Sequence, residues 1–130
     1  MKDKKKWMMA AAAATGALIG RICYECRHFT TEYYDVASDK IPEAFEGFRF
    51  VVLSDLHNYD FDQGNRQLLE AIERLKPDAV MIAGDMIDAH PGADMSAAVR
   101  MVRDLCDRWP VYFGNGNHEQ RIALYPETYG

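Results

Sequence analysis

Cysteine is scarce in this chain: three residues in 130, at positions 23, 26 and 106. Cys23 and Cys26 have C-x-x-C spacing, but a zinc site needs two further ligands, and no second Cys pair or H-x-x-H complement exists to supply them. Cys106 falls on the apolar side of a predicted helix and reads as core. Basic residues are few once the first six positions are passed. Residues 1–6 (MKDKKK) hold four Lys and one Asp, a charge of +3; the whole chain carries −5, which leaves −8 on residues 7–130. An acidic body of this kind argues against a nucleic-acid backbone as partner, because that binding rests on Lys and Arg neutralising phosphates. The glycine-rich phosphate loops are missing too. Neither G-x-x-x-x-G-K-[ST] nor G-x-G-x-x-G follows the first predicted strand, which disfavours a metal-free phosphate-binding domain built on a helix dipole. Twin Arg, a lipid-attachment pattern ahead of Cys23 and internal repeats are all lacking.

What is present begins with the N-terminus. Fourteen uncharged residues, Trp7 to Gly20, follow the Lys cluster and are closed by Arg21. A basic head before an Ala-rich apolar stretch reads as a secretory signal or a short membrane anchor over residues 1–24. Arg21 can snorkel and extend the span to about Tyr24. The positive-inside rule then puts Lys2–Lys6 in the cytoplasm and the rest on the extracytoplasmic side, or secreted if the segment is cleaved. The remaining composition is that of a globular protein, 48% apolar and 27% charged, with room for one modest domain or part of a larger one.

Residues 25–47 read as a linker with an edge strand near 31–37, where Tyr33, Asp35 and Ala37 alternate with Tyr34, Val36 and Ser38. From residue 48 the pattern sharpens. "FRFVVLSD" (48–55) suits a buried strand. In "NRQLLEAIERLKP", Leu68, Leu69, Ile72 and Leu75 share a helical face, and Pro77 ends it. "AVMIAGD" (79–85) is a second strand. A second helix follows, capped by Asp94, with Val99, Val102, Leu105 and Cys106 on its inner face and Pro110 as its stop. "VYF" (111–113) is the third strand. The order β–α–β–α–β with short loops implies right-handed crossovers and a parallel sheet, an α/β architecture. Both helices cover one side of that sheet, so the other side is expected to be open and apolar, a surface for a partner or a second sheet.

In an open parallel sheet, ligands bind beyond the carboxyl ends of the strands. Those ends read Ser54-Asp55-Leu56-His57, Gly84-Asp85-Met86-Ile87-Asp88 and Gly114-Asn115-Gly116-Asn117-His118-Glu119. Each step between clusters is one strand–helix–strand unit, 30 residues from Asp55 to Asp85 and 32 from Asp85 to Asn117. Neighbouring strands lie about 4.8 Å apart, so the three clusters converge. Asp55 and His57, at i and i+2, point the same way on extended backbone. Carboxylate, imidazole and amide ligands together suit Mn, Fe or Zn better than Ca. A carboxylate at the middle strand can bridge two such ions. His118, next to the Asn ligand, can point past them toward a substrate oxygen. Tyr59, Phe61 and Trp109 read as core or lip aromatics, His90 as a solvated loop residue and His28 as a neighbour of the apolar segment.

The set D-x-H, G-D-x-x-D and G-N-H-E, with G-F-R-hydrophobic-S-D-L-H at the first strand, resembles the calcineurin-like metallophosphoesterases, in particular their membrane-associated bacterial branch, over roughly residues 32–120. The resemblance implies a four-layer αββα sandwich, of which residues 48–130 form the β-α-β-α-β half. It implies two divalent metal ions, the first held by Asp55 and His57, Asp85 bridging both, and Asn117 holding the second. It implies that His118 stabilises the phosphoryl transition state or protonates the leaving group, while a metal-bound hydroxide attacks a phosphomonoester or phosphodiester. The family takes further His ligands from a second half, a single His and then G-H-x-H, which do not follow here. The 130-residue chain alone is therefore expected to turn over little or no phosphoester substrate. The competing reading is a non-catalytic membrane-anchored module that needs a partner for the missing half.

Overall fold

The structure, a computed structural model, describes residues 2–25 and 27–129. The chain divides into two compact units, Met1–Asp35 and Val36–Gly130. In the first, α1 (Lys2–Glu25) is a single helix, as its run of Ala, the strongest helix former, favours. Arg21 and Glu25 close an i,i+4 ion pair at 2.8 Å on its last turn. Lys4–Glu25 is long and apolar enough to cross a membrane, at 22 residues or about 33 Å, and a signal sequence has the same length and composition. Cys23 is exposed on this helix; Cys26, and with it the C-x-x-C spacing, lies outside the described residues. His28 stacks on Tyr24 with ring centroids 3.9 Å apart.

The edge strand expected at 31–37 does not form among the described residues. Tyr33, Tyr34 and Val36 are all exposed, so the alternation has no buried side, and no neighbouring strand takes up its backbone groups. A 3-10 turn at Glu43–Phe45 precedes the sheet.

The second unit is built on β1 (Phe50–Leu53), β2 (Ala79–Ile82) and β3 (Val111–Phe113), parallel and in the order β1-β2-β3. Between them run α2 (Arg66–Leu75) and α3 (Ser96–Cys106). With right-handed crossovers and this strand order, both helices fall on one face. Val51, Val80 and Ile82 are buried on that face with Leu68, Leu69 and Ile72 of α2 and Ala98, Met101 and Leu105 of α3. Each of these Val, Leu, Ile and Met side chains contributes about 1.5–3 kcal/mol. α3 presents a different stripe from the one its spacing suggested. Ala97, Ala98, Met101 and Leu105 are buried, whereas Val99 and Cys106 are exposed, because the small Ala97 and Ala98 let the helix lie close to the sheet with Met101 inward. Asp94 sits one residue before the helix N-cap and accepts the Ser96 N–H at 2.9 Å.

The opposite face of the sheet is uncovered. The register aligns Val52, Met81 and Tyr112 in one row, and all three are exposed, as is Phe50 on the same face. After β3 the chain turns directly into α4 (Asn117–Leu124) and the short α5 (Pro126–Tyr129).

Candidate metal centre

Beyond Leu53 and Ile82 the strands stop, but their loops stay side by side. Asp55 N–H donates to Gly84 O at 3.2 Å, His57 N–H to Asp85 O at 3.1 Å and Asn58 N–H to Met86 O at 3.0 Å. Buried apolar residues alternate with polar ones along both loops. Leu56, Met86 and Ala89 point into the core, which leaves Asp55, His57, Asp85 and Asp88 at the lip. The extended backbone expected for Asp55 and His57 is not what brings them together. Both lie in the left-handed region, φ 58° and 49°, as do Asn58 at 60° and Asp85 at 52°. Each such residue costs roughly 1–3 kcal/mol and persists only where its surroundings fix it.

The resulting geometry is compact. Asp55 Oδ1 lies 3.6 Å from His57 Nε2. One ligand atom each from Asp55, His57 and Asp85 all fall within 4.8 Å of one another, and the same holds for His57, Asp88 and His118. Three carboxylates and two imidazoles at one lip form a donor set suited to a borderline divalent cation, so the residues fit the expected metal. Ser54 Oγ donates to Asp55 Oδ2 at 2.5 Å, which orients that carboxylate.

The two glycine-containing turns let the ends of β2 and β3 meet. Gly84 has φ 95°, and a methyl there would lie 2.6 Å from Gly116 Cα; one on Gly116 would lie 2.5 Å from Asp85 N. In return, the first turn of α4 sits on Asp85, whose Oδ1 accepts the His118 N–H at 3.0 Å. Asn117 is exposed at the first position of that helix, one residue from this bond. The His118 ring meets His57 edge-on, with centroids 4.9 Å apart.

His118 is wired in a particular tautomer. Ala89 N–H donates to its Nδ1 at 2.9 Å, so in the neutral ring the proton is on Nε2. Asp88 Oδ1 is 3.3 Å from the same Nδ1. Metal-bound histidines, by contrast, ordinarily donate their other ring N–H.

Three residues near the lip had no role assigned from sequence. Asp88 closes the G-D-x-x-D pattern and Glu119 closes G-N-H-E, so both letters were visible, but their partners were not. Glu119 accepts N–H groups from Asp85, Met86, Ile87 and Gly116. Burial pushes its carboxyl up, yet the N–H groups of Asp85, Gly116 and Ile87 outweigh this and hold it below the ordinary glutamate value. Asn58, the third, donates to Asp88 O at 3.2 Å, while its own Oδ1 is buried without a hydrogen-bond partner among the described residues.

The adjoining loop 59–65 is held by its own side chains. Buried Asn65 accepts the Phe61 N–H and donates to Tyr59 O, both at 3.0 Å. Asp60 collects the N–H groups of Asp62, Gly64 and Asn65. Burial again raises this carboxyl, and the N–H groups of Asn65, Gly64 and Asp62 more than offset it, so Asp60 lies below its usual value. Tyr59 is partly exposed beside this loop, edge-on to Phe61 at 4.8 Å. His90 is exposed, its Nδ1 3.3 Å from Pro91 O, and takes no part in either cluster.

Residues 48–130 match the family model of the calcineurin-like phosphoesterases. The chain is 31% identical over 91 residues to "Transmembrane protein with metallophosphoesterase domain" of Danio rerio, covering 68% of this chain and 21% of that protein. It is 33% identical over 85 residues to "Uncharacterized metallophosphoesterase YkuE" of Bacillus subtilis (strain 168), covering 62% of this chain and 29% of that one. The chain thus spans less than a third of the length of either relative. No solved structure matches it significantly.

Proposed function

The chain belongs to the calcineurin-like phosphoesterase family, and from this premise we propose that it forms the strand-end half of a two-metal centre that hydrolyses phosphomonoesters or phosphodiesters. The observation that carries the reading is the convergence of Asp55, His57 and Asp85 within 4.8 Å at the ends of two adjacent strands, with His118 beside them. Asp55 and His57 would hold one divalent ion, Asp85 would serve both, and Asn117 would hold the second; Mn, Fe and Zn all accept this set. When bound, such ions supply Lewis acidity toward a phosphoryl oxygen and toward water.

The protein's own contribution is orientation and proton delivery. Ser54 and the His118 main chain fix one oxygen each of Asp55 and Asp85, which leaves the other oxygens for cations. With Nδ1 engaged by Ala89, His118 presents Nε2–H as a donor, suited to an oxygen that gains negative charge.

The remaining coordination positions would be filled by water or by protein groups beyond those named here. Residues 7–24 would anchor the protein in a membrane, with Lys2–Lys6 on the cytoplasmic side and the metal centre on the other. The first test titrates the chain with Mn(II), followed by electron paramagnetic resonance, alongside Asp85→Asn, while release of nitrophenol from a chromogenic phosphodiester is recorded in the same samples. We expect binding that Asp85→Asn removes, with turnover near background for the chain alone. Binding that survives Asp85→Asn would sink the assignment.

A further inference from the structure

Glu119 bonds only backbone N–H groups at the lip, and with four of them it makes more hydrogen bonds than Asp55, Asp85 or Asp88. Its Oε2 accepts the Asp85 N–H at 2.9 Å and the Gly116 N–H at 2.8 Å. Its Oε1 accepts the Met86 N–H at 3.0 Å and the Ile87 N–H at 3.3 Å. Holding the start of α4 needs only the Gly116 bond, the ordinary link from the third helical residue back to the N-cap. The other three donors come from the loop after β2, 32 to 34 residues earlier in the chain, so the carboxylate is a tie between two strand ends.

We propose that Glu119 is a positioning residue for the metal centre, holding Asp85 in the one backbone conformation that turns its free oxygen toward Asp55 and His57. The proposal rests on the reading of Asp85 as a metal ligand. Asp85 is left-handed at φ 52°, a conformation that costs an L-residue roughly 1–2 kcal/mol and that an aspartate keeps where hydrogen bonds support it. It is gripped twice by the same turn of α4: at its N–H by Glu119, and at Oδ1 by the main chain of His118 at 3.0 Å. Gly84 and Gly116 bring the two loops so close that no side chain fits between them; past the Gly114 N–H to Ile82 O bond at the strand ends, the links that join them are this carboxylate, the His118 N–H on Asp85 and the Ala89 N–H on His118 Nδ1. Glutamine cannot replace it. Its single oxygen would serve one pair of N–H donors, while its NH2 would confront the other pair. Aspartate, one methylene shorter, keeps the charge but reaches one loop at a time.

The test uses the full 130-residue chain in detergent, as wild type, Glu119→Gln, Glu119→Asp and Asp85→Asn. Mn(II) affinity is read by electron paramagnetic resonance, and amide hydrogen exchange is read without metal. In Glu119→Gln we expect Mn(II) affinity to fall roughly tenfold, as when outer partners of metal ligands are lost. The amides of Asp85, Met86, Ile87 and Gly116 should exchange faster while those of Val80 and Ile82 keep their wild-type rates. Glu119→Asp should show a smaller loss of the same kind, and decides the matter if the Gln variant does not fold. Wild-type Mn(II) affinity in both variants would overturn the proposal. So would equal loss of protection at Val80 and Ile82 in Glu119→Asp, which would make Glu119 a general stability residue. If Asp85→Asn binds Mn(II) as well as wild type, the metal-centre reading falls, and the four amides still report whether Glu119 ties the loops.

Discussion

The helix-covered face of the sheet and its carboxyl lip are a few ångströms apart and are held by opposite means. Under the helices, Val51, Val80, Ile82, Ile72, Met101 and Leu105 are apolar and buried, and no one contact there is directional. At the lip, four non-glycine residues sit in left-handed conformations, and the positions of Asp85 and His118 depend on individual hydrogen bonds: Asp85 N–H to Glu119, His118 N–H to Asp85 Oδ1 and Ala89 N–H to His118 Nδ1. The first region stabilises the fold; the second spends part of that stability on geometry. Substitutions should therefore separate melting temperature from metal affinity in opposite senses.

The largest effect is expected where the two regions meet. Gly84→Ala adds a methyl at φ 95° that runs into the Gly116 backbone, and should cost about 3–5 kcal/mol and abolish Mn(II) binding together, measured by urea unfolding and metal titration. Leu105→Ala should cost about 2–5 kcal/mol through the cavity it leaves, while Mn(II) affinity of the folded fraction stays at the wild-type value. Asp85→Asn is the converse: metal binding lost, melting temperature within a few degrees of wild type without metal. Asn65→Ala removes the two side-chain bonds to the Phe61 N–H and the Tyr59 C=O, and should cost about 1–3 kcal/mol.

The smallest effect is a pH dependence of loop 59–65. Asp60 is held below the ordinary aspartate value when folded, so its contribution is complete above that value and is lost as pH falls through the lowered one. Amide exchange at Gly64 and Asn65 should accelerate, beyond the intrinsic pH effect, only below the ordinary aspartate range of about 3.9, and Asp60→Asn should remove that dependence. A lip that responded at neutral pH while Asp60→Asn changed nothing would show that another group controls the loop.

Much of this was legible from residue order. Hydrophobic spacing placed β1, α2, β2, α3 and β3, and the rule that ligands gather at the carboxyl ends of parallel strands picked out Asp55, His57, Asp85, Asn117 and His118. Spacing misplaced the stripe of α3, because Val99 and Cys106 are as apolar as Ala98 and Met101. Only packing against the sheet shows that the small Ala97 and Ala98 let the helix approach with Met101 inward. It also read Asp55 and His57 as extended, since the sequence does not show that the loop after β1 must follow the turning loop after β2.

The sequence by itself determined the order of elements, the apolar faces and the chemistry delivered to one edge, because those depend on periodicities of 2 and 3.6 residues along a single strand or helix. Only the tertiary structure decided how the candidate ligands are aimed. The hydrogen bonds that aim them join Glu119 to Asp85, Ala89 to His118 and Asn58 to Asp88, each between segments about 30 residues apart, where local pattern carries no information.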